Sequence, residues 1–213
     1  MIVAIPVFDR ITALDAIGPY EVLSRLPEAD VKFLAFEPGA VRTDTGMLGI
    51  EADYALDDVP RPDVIVHPGG YGTRALMRDD RMLAWLRRAH ETSDWTTSVC
   101  TGSLVLAAAG ILDGVEATTH WAARDILAEH GALPVDERVV ERGKVVTAAG
   151  VSAGIDMALH LAARIASPEV AQAIQLGIEY DPQPPFDSGS PAKAGRAIVD
   201  LVRAGEAAQT GAE

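Results

Sequence analysis

The chain of 213 residues has a single cysteine, Cys100. One thiol forms no internal disulfide, so nothing calls for an oxidising compartment. Basic residues are scarce: 18 Lys and Arg stand against 31 Asp and Glu, a formal net charge of −13. Phosphate binding needs clustered Lys and Arg, and no basic stripe occurs, which argues against a nucleic-acid surface. The acidic balance favours solubility through self-repulsion. No segment approaches the roughly 18 apolar residues of a membrane span. "MIVAIPVFDR" has no basic region ahead of its apolar run, so it reads as a first strand and not as a signal peptide. The expected location is the cytoplasm. Internal repeats are absent. The five histidines are scattered over separate elements, which gives no metal-ligand cluster.

Hydrophobic residues make up 48% of the chain, enough for a sizeable core. "IVAIPVF" and "DVIVHPGG" are nearly continuous in apolar residues, as strands buried on both faces are. Further strands are expected at Val31–Phe36, Thr96–Val99 and Val115–His120, with an irregular hairpin or extension over Gly46–Leu56. "ERVVERGKVVTA" alternates like a hairpin, with Arg142-Gly143 at its turn. Helices are expected at Gly18–Leu26, Arg81–His90, Thr101–Leu112, after Trp121, at Ser152–Ala166 and at Pro168–Tyr180. Pro19 suits a first helical position. A proline-rich arm, 178–191, precedes a last helix and a frayed tail. The pattern predicts an α/β domain over 1–190, arm included, followed by a C-terminal helix and tail over 191–213. Alternating strands and helices give a mostly parallel sheet with helices on both faces. Such sheets bind ligands beyond the carboxyl ends of their strands. Asp15, Gly69-Gly70 and Cys100 all fall at such ends.

Cys100 lies where a β-branched run, "TTSV", gives way to an alanine-rich helix. A sharp strand-to-helix turn lifts its central side chain off the sheet, as in the G-x-S-x-G elbow of hydrolases. Here the pattern is Ser98-Val99-Cys100-Thr101-Gly102. The following helix would aim free N–H groups and its positive end at the sulfur, which favours the nucleophilic thiolate. The bland alternative is a small buried hydrophobe.

A covalent mechanism needs a proton donor and acceptor nearby. His67 and His120 sit at strand ends and could face the crest; His90, His130 and His160 read as helical or helix-terminal. No His-x-Glu follows the elbow, so a glutaminase-type triad is not expected. Asp15 is the alternative partner. Beside a thiolate, like charge would raise its pKa and let it act as acid, then base. It also reads as part of a capping box, Thr12-x-x-Asp15. Gly69 and Gly70 could bring backbone N–H groups to a substrate and, with the Thr101 amide, form an anion-stabilising pocket. They could equally form an ordinary tight turn.

"IPVFDRITALDAIGPYEVL", "DVIVHPGGYG", "SVCTGSLVLAAAGIL", "ATTHW" and "GVSAGIDMALHLAARI" together resemble the ThiJ/PfpI superfamily, over residues 2 to about 190. The resemblance implies a flavodoxin-like, class I glutamine amidotransferase-like fold. Within the superfamily the chain looks most like the isocyanide hydratases, which carry an aspartate where many relatives have glutamate, as Asp15 is here. "IEYDPQPPFDSGSP" also looks like the hydratase arm. The resemblance implies hydration of an isocyanide to an N-substituted formamide. Cys100 would attack the terminal carbon, Asp15 would protonate the adduct to a thioimidate and then activate water, and Thr101 would bond Asp15 or the intermediate. Asp181 and the backbone near Val151 match lining positions; His120 would stand behind the site. No metal or organic cofactor is implied, and the usual assembly is a homodimer. The stiff, partly apolar arm could pack on a neighbour, or be an exposed linker. Competing expectations are a glyoxalase-, deglycase- or amidase-like cysteine activity, and a ligand- or redox-sensing domain like those of AraC-type regulators.

Overall fold

The structure, a computed structural model, describes residues 1–210. The strands are β1 (Ile2–Pro6), β2 (Asp30–Ala35), β3 (Gly39–Arg42), β4 (Gly49–Ala52), β5 (Tyr54–Ala55), β6 (Val64–His67), β7 (Trp95–Val99), β8 (Glu116–Ala117), β9 (Leu133–Pro134), β10 (Val139–Arg142) and β11 (Val145–Ala148). The α-helices are α1 (Ala13–Leu23), α2 (Thr73–Leu76), α3 (Asp80–Thr92), α4 (Gly102–Ala108), α5 (Arg124–Glu129), α6 (Ala153–Ile165), α7 (Pro168–Gly177), α8 (Pro191–Ala194) and α9 (Arg196–Thr210).

The main sheet has seven strands in the order β10-β11-β7-β6-β1-β2-β5. Every pairing is parallel except β10 with β11. This is the mostly parallel α/β sheet that the unbroken apolar runs predict. All four residues of β6 are buried, because helices cover the sheet's centre on both faces. The helices pack in two groups around the sheet: α1 with α6 and α7, and α4 with α2, α3 and α5. The core runs through Val3, Ile5, Ile65, Leu104, Val146 and Leu161, all fully buried.

Several elements depart from the sequence pattern. Helix α1 begins at Ala13, so Pro19 lies inside it and not at its first position. Pro19 has no N–H to give the carbonyl of Asp15 one turn back. The hairpin expected over Gly46–Leu56 starts earlier, as β3 paired antiparallel with β4. β3 alternates part-buried with exposed residues and β4 exposed with buried ones, each over only four residues, too briefly to mark their ends. β8 is only two residues long and pairs with β9 outside the main sheet. The last helix is interrupted at Gly195, where φ is +75°.

The chain divides into two compact units, the first Met1–Ile178 and the second from Glu179 onward. The division falls at the start of the arm. Among the described residues, no helix is long and apolar enough to cross a membrane.

Candidate active site

β7 ends at Val99 and α4 starts at Gly102, so the chain reverses within two residues. Cys100 takes the strain, with φ of +56°. A left-handed conformation costs a non-glycine residue about 1–2 kcal/mol, so something must hold it. The Cys100 N–H donates to the carbonyls of Ala148 (3.1 Å) and Ala149 (2.9 Å). Its own carbonyl accepts from Ser103 Oγ (3.2 Å) and Thr119 Oγ1 (3.0 Å). Gly102 is required on the far side: a Cβ there would lie 2.1 Å from the His67 carbonyl oxygen.

The sulfur is nearly enclosed, with Cys100 5% exposed. Burial and the charge of Asp15 push its pKa up. The N–H groups of Val151 and Thr101, and the Arg74 guanidinium, act in the opposite direction but are outweighed. These contributions oppose the expected thiolate: burial and the Asp15 charge favour the protonated sulfur in the free protein. The helix behind it has only seven residues, and its end donors are set against nearly complete desolvation.

Asp15 is fully buried in the first turn of α1. Its Oδ2 accepts from the Gly69 N–H at 2.9 Å, and its Oδ1 has no aligned hydrogen-bond partner among the described residues. Burial raises its pKa to about 7, and the charge of Asp44 adds to this; the Gly69 N–H and the Cys100 thiol pull the other way. The thiol thus faces the carboxyl closely enough to favour its ionised form, without an aligned bond. The capping-box reading does not hold. Thr12 makes no side-chain cap, and its hydroxyl donates to Asp44 Oδ2 at 2.8 Å.

The glycine pair holds the machinery. While the Gly69 N–H holds Asp15, the Gly70 N–H donates to Thr101 Oγ1 at 3.0 Å. Both amides are thus engaged by the protein itself, and the Thr101 N–H faces the sulfur. Thr101 Oγ1 also lies 3.2 Å from the Gly70 carbonyl and 3.3 Å from Thr73 Oγ1. Thr101 and Asp15 are linked through this backbone turn. A Cβ on Gly69 would lie 2.6 Å from Thr101 N, 2.7 Å from Thr101 Oγ1 and 2.8 Å from Asp15 Oδ2. Gly69→Ala is accordingly expected to cost roughly 1–3 kcal/mol of stability through overpacking. It should also lower turnover at least tenfold, because a misplacement of about 1 Å is costly. Denaturant titration and steady-state kinetics check this; unchanged kinetics would show that the turn does not set the site.

His120 is half-buried, and burial together with the charge of Arg74 lowers its pKa. Its Cδ2 lies against Gly150, where an added Cβ would be 2.8 Å away. Neighbouring Val151 has φ of +25° and turns its N–H to the sulfur. His67 does not serve the crest. It is fully buried, its Nδ1 is 2.9 Å from the Pro68 carbonyl oxygen, its ring leans on Phe8, and burial lowers its pKa to about 4. His67 is a neutral core residue beneath the turn. Asp181 belongs to the second unit, where its Oδ2 accepts from Gln183 Nε2 at 3.1 Å.

Four residues that sequence reasoning passed over belong to the site: Ser103 and Thr119 on the Cys100 carbonyl, and Thr73 and Arg74 on α2. Thr119 sits inside the noted "ATTHW" and Arg74 four residues after Gly70, but neither position has a pattern of its own. Among the described residues, no three His, Cys, Asp or Glu side chains group as metal ligands.

A parallel α/β sheet with a buried cysteine on a left-handed strand-to-helix joint, and a buried carboxyl beside it, defines a cysteine-elbow α/β protein. The chain belongs to the DJ-1/PfpI family, which it matches over residues 1–164. It is 46% identical to the isonitrile hydratase of Pseudomonas putida, over 92% of this chain and 86% of that protein. The HTH-type transcriptional regulator CdhR of Pseudomonas aeruginosa is 31% identical over 78% of this chain, but the match spans only 50% of the regulator. The crystal structure of a ThiJ/PfpI family protein from Pseudomonas syringae superposes with a TM-score of 0.90 at 36% identity, covering 99% of this chain and 89% of that one.

Proposed function

We propose that this chain is an isocyanide hydratase, converting R–N≡C and water to R–NH–CHO through a thioimidate on Cys100. The observation that carries the reading is Asp15: a fully buried carboxyl with one oxygen left unpartnered, facing the elbow thiol. Such an arrangement is expensive to keep and is suited to moving a proton. The 46% identity to an isonitrile hydratase supports the substrate class.

The thiol and carboxylate together hold the one proton that the first step needs. Asp15 accepts the Cys100 proton and delivers it to the lone pair of the isocyanide carbon. The sulfur adds to that carbon, and one C–N π pair becomes the nitrogen lone pair, leaving Cys–S–CH=N–R. Asp15, again a carboxylate, takes a proton from water as the water oxygen adds to the carbon, and passes that proton to nitrogen. The adduct then collapses: the hydroxyl proton leaves through Asp15, C=O forms, C–S breaks, and the sulfur recovers its proton. The N–H groups of Thr101 and Val151 steady charge on sulfur as it attacks and departs. Gly69 and Gly70 hold Asp15 and Thr101 in register. His120 shapes the wall beside Val151.

The test is direct. Incubation with an aryl isocyanide should yield the matching formamide by chromatography. No formamide, together with consumption of methylglyoxal, would replace this reading with a glyoxalase-like one. No turnover of either would favour a sensor.

The same reading places the protein in the cytoplasm as a homodimer. Phe186 in the arm is 77% exposed and is suited to packing on a second copy. Light scattering should report twice the 22.5 kDa chain mass, and a monomer at assay concentration would refute the dimer.

A further inference from the structure

We propose that Arg74 anchors an anionic group on the substrate, so that the isocyanide taken by this site carries a carboxylate. The inference rests on the hydratase reading above and narrows its substrate class. Arg74 lies on α2, half-buried, with Nη1 donating to Thr73 Oγ1 at 3.1 Å. Thr73 Oγ1 is in turn 3.3 Å from Thr101 Oγ1. The guanidinium is thus two hydrogen bonds from the residue that follows the nucleophile. Its charge is felt at both Cys100 and His120.

Among the described residues, no carboxylate lies within ion-pair reach of Arg74. That is notable in a chain with 31 acidic and 18 basic residues. Elsewhere Arg25, Arg81, Arg138 and Arg142 each hold an acidic partner at the surface. Hydrating a neutral isocyanide requires no cation. A guanidinium that spends one N–H on a threonine keeps a fork of donors matched to a carboxylate. The charge-assisted pair it would form is partly desolvated, where such bonds are strongest.

The experiment compares isocyanoacetate with its ethyl ester, on the wild type, Arg74→Ala and Arg74→Lys. The wild type should favour the carboxylate in kcat/KM by roughly 10- to 100-fold, mostly through KM. Arg74→Ala should erase that preference and Arg74→Lys should keep part of it. Equal kcat/KM for the two substrates in the wild type would overturn the proposal. So would an Arg74→Ala enzyme that loses the same factor on both, since Arg74 would then act only on the sulfur. A parallel calorimetric titration with N-formylglycine and its ethyl ester separates this proposal from the reaction itself. If neither isocyanide is hydrated, the hydratase reading fails. Tighter binding of the acid, lost in Arg74→Ala, still upholds the anchor, and equal binding of acid and ester refutes it.

Discussion

Cys100→Ala should fold normally and produce no measurable formamide, a loss of at least about 10⁴-fold in kcat. The two halves of that result have separate causes. Alanine at this position inherits the same φ of +56°, and the backbone bonds to Ala148, Ala149, Ser103 and Thr119 do not involve the sulfur. The variant loses only one small buried group, worth about 1 kcal/mol. Turnover, by contrast, loses the atom that bonds the isocyanide carbon. Mass spectrometry on the quenched wild type should find the thioimidate on Cys100, and the variant should carry none. Formamide production by a folded Cys100→Ala protein would end the covalent mechanism.

Asp15→Asn should lower kcat/KM by about 10²–10⁴, the range for removing a positioned proton carrier. Asparagine can still accept from the Gly69 N–H, so the loss would report proton transfer. In the wild type, Asp15 must be ionised to take the thiol proton. Its pKa is about 7, so kcat/KM should rise with pH through about 7, and Asp15→Asn should lack that limb. The linkage to stability has the opposite sense. The folded-state pKa is raised from 3.8 to about 7, so the stability that the protonated carboxyl contributes is fully present below about pH 4 and is lost as pH rises through 7. The cost of keeping the charge buried is at most about 4 kcal/mol above pH 7. Asp15→Asn should therefore be the more stable protein at pH 8, with an advantage that shrinks towards pH 4. Urea titrations at the two pH values measure it. An advantage that grows on acidification would contradict the burial of a titrating carboxyl, whatever the kinetics show.

Much of the architecture is written locally. The unbroken apolar runs of β1 and β6 mark strands covered on both faces, and the Arg142-Gly143 turn marks the β10–β11 hairpin. The elbow is equally legible, because a β-branched run, a lone cysteine and a glycine two residues later leave little else for the chain to do. Cys100 could be chosen on those grounds, Asp15 from its place after the first strand, and the Thr101 side chain from the family resemblance.

What each of them does there was decided elsewhere in the chain. Asp15 looked as much a cap as a catalyst, and its partner proved to be an amide 54 residues away. The helix end behind Cys100 argues for a thiolate, while nearly complete burial and a facing carboxyl favour the thiol. Gly69 and Gly70 were legible as glycines, yet only the fold shows that their amides hold Asp15 and Thr101. His67 looked like a partner and is core, and Arg74 had no pattern and stands at the site. Backbone periodicity and turn chemistry depend on near neighbours, so residue order alone conveys them. Charge state and proton traffic depend on desolvation and on groups brought close from distant segments, so they exist only once the chain has closed around them.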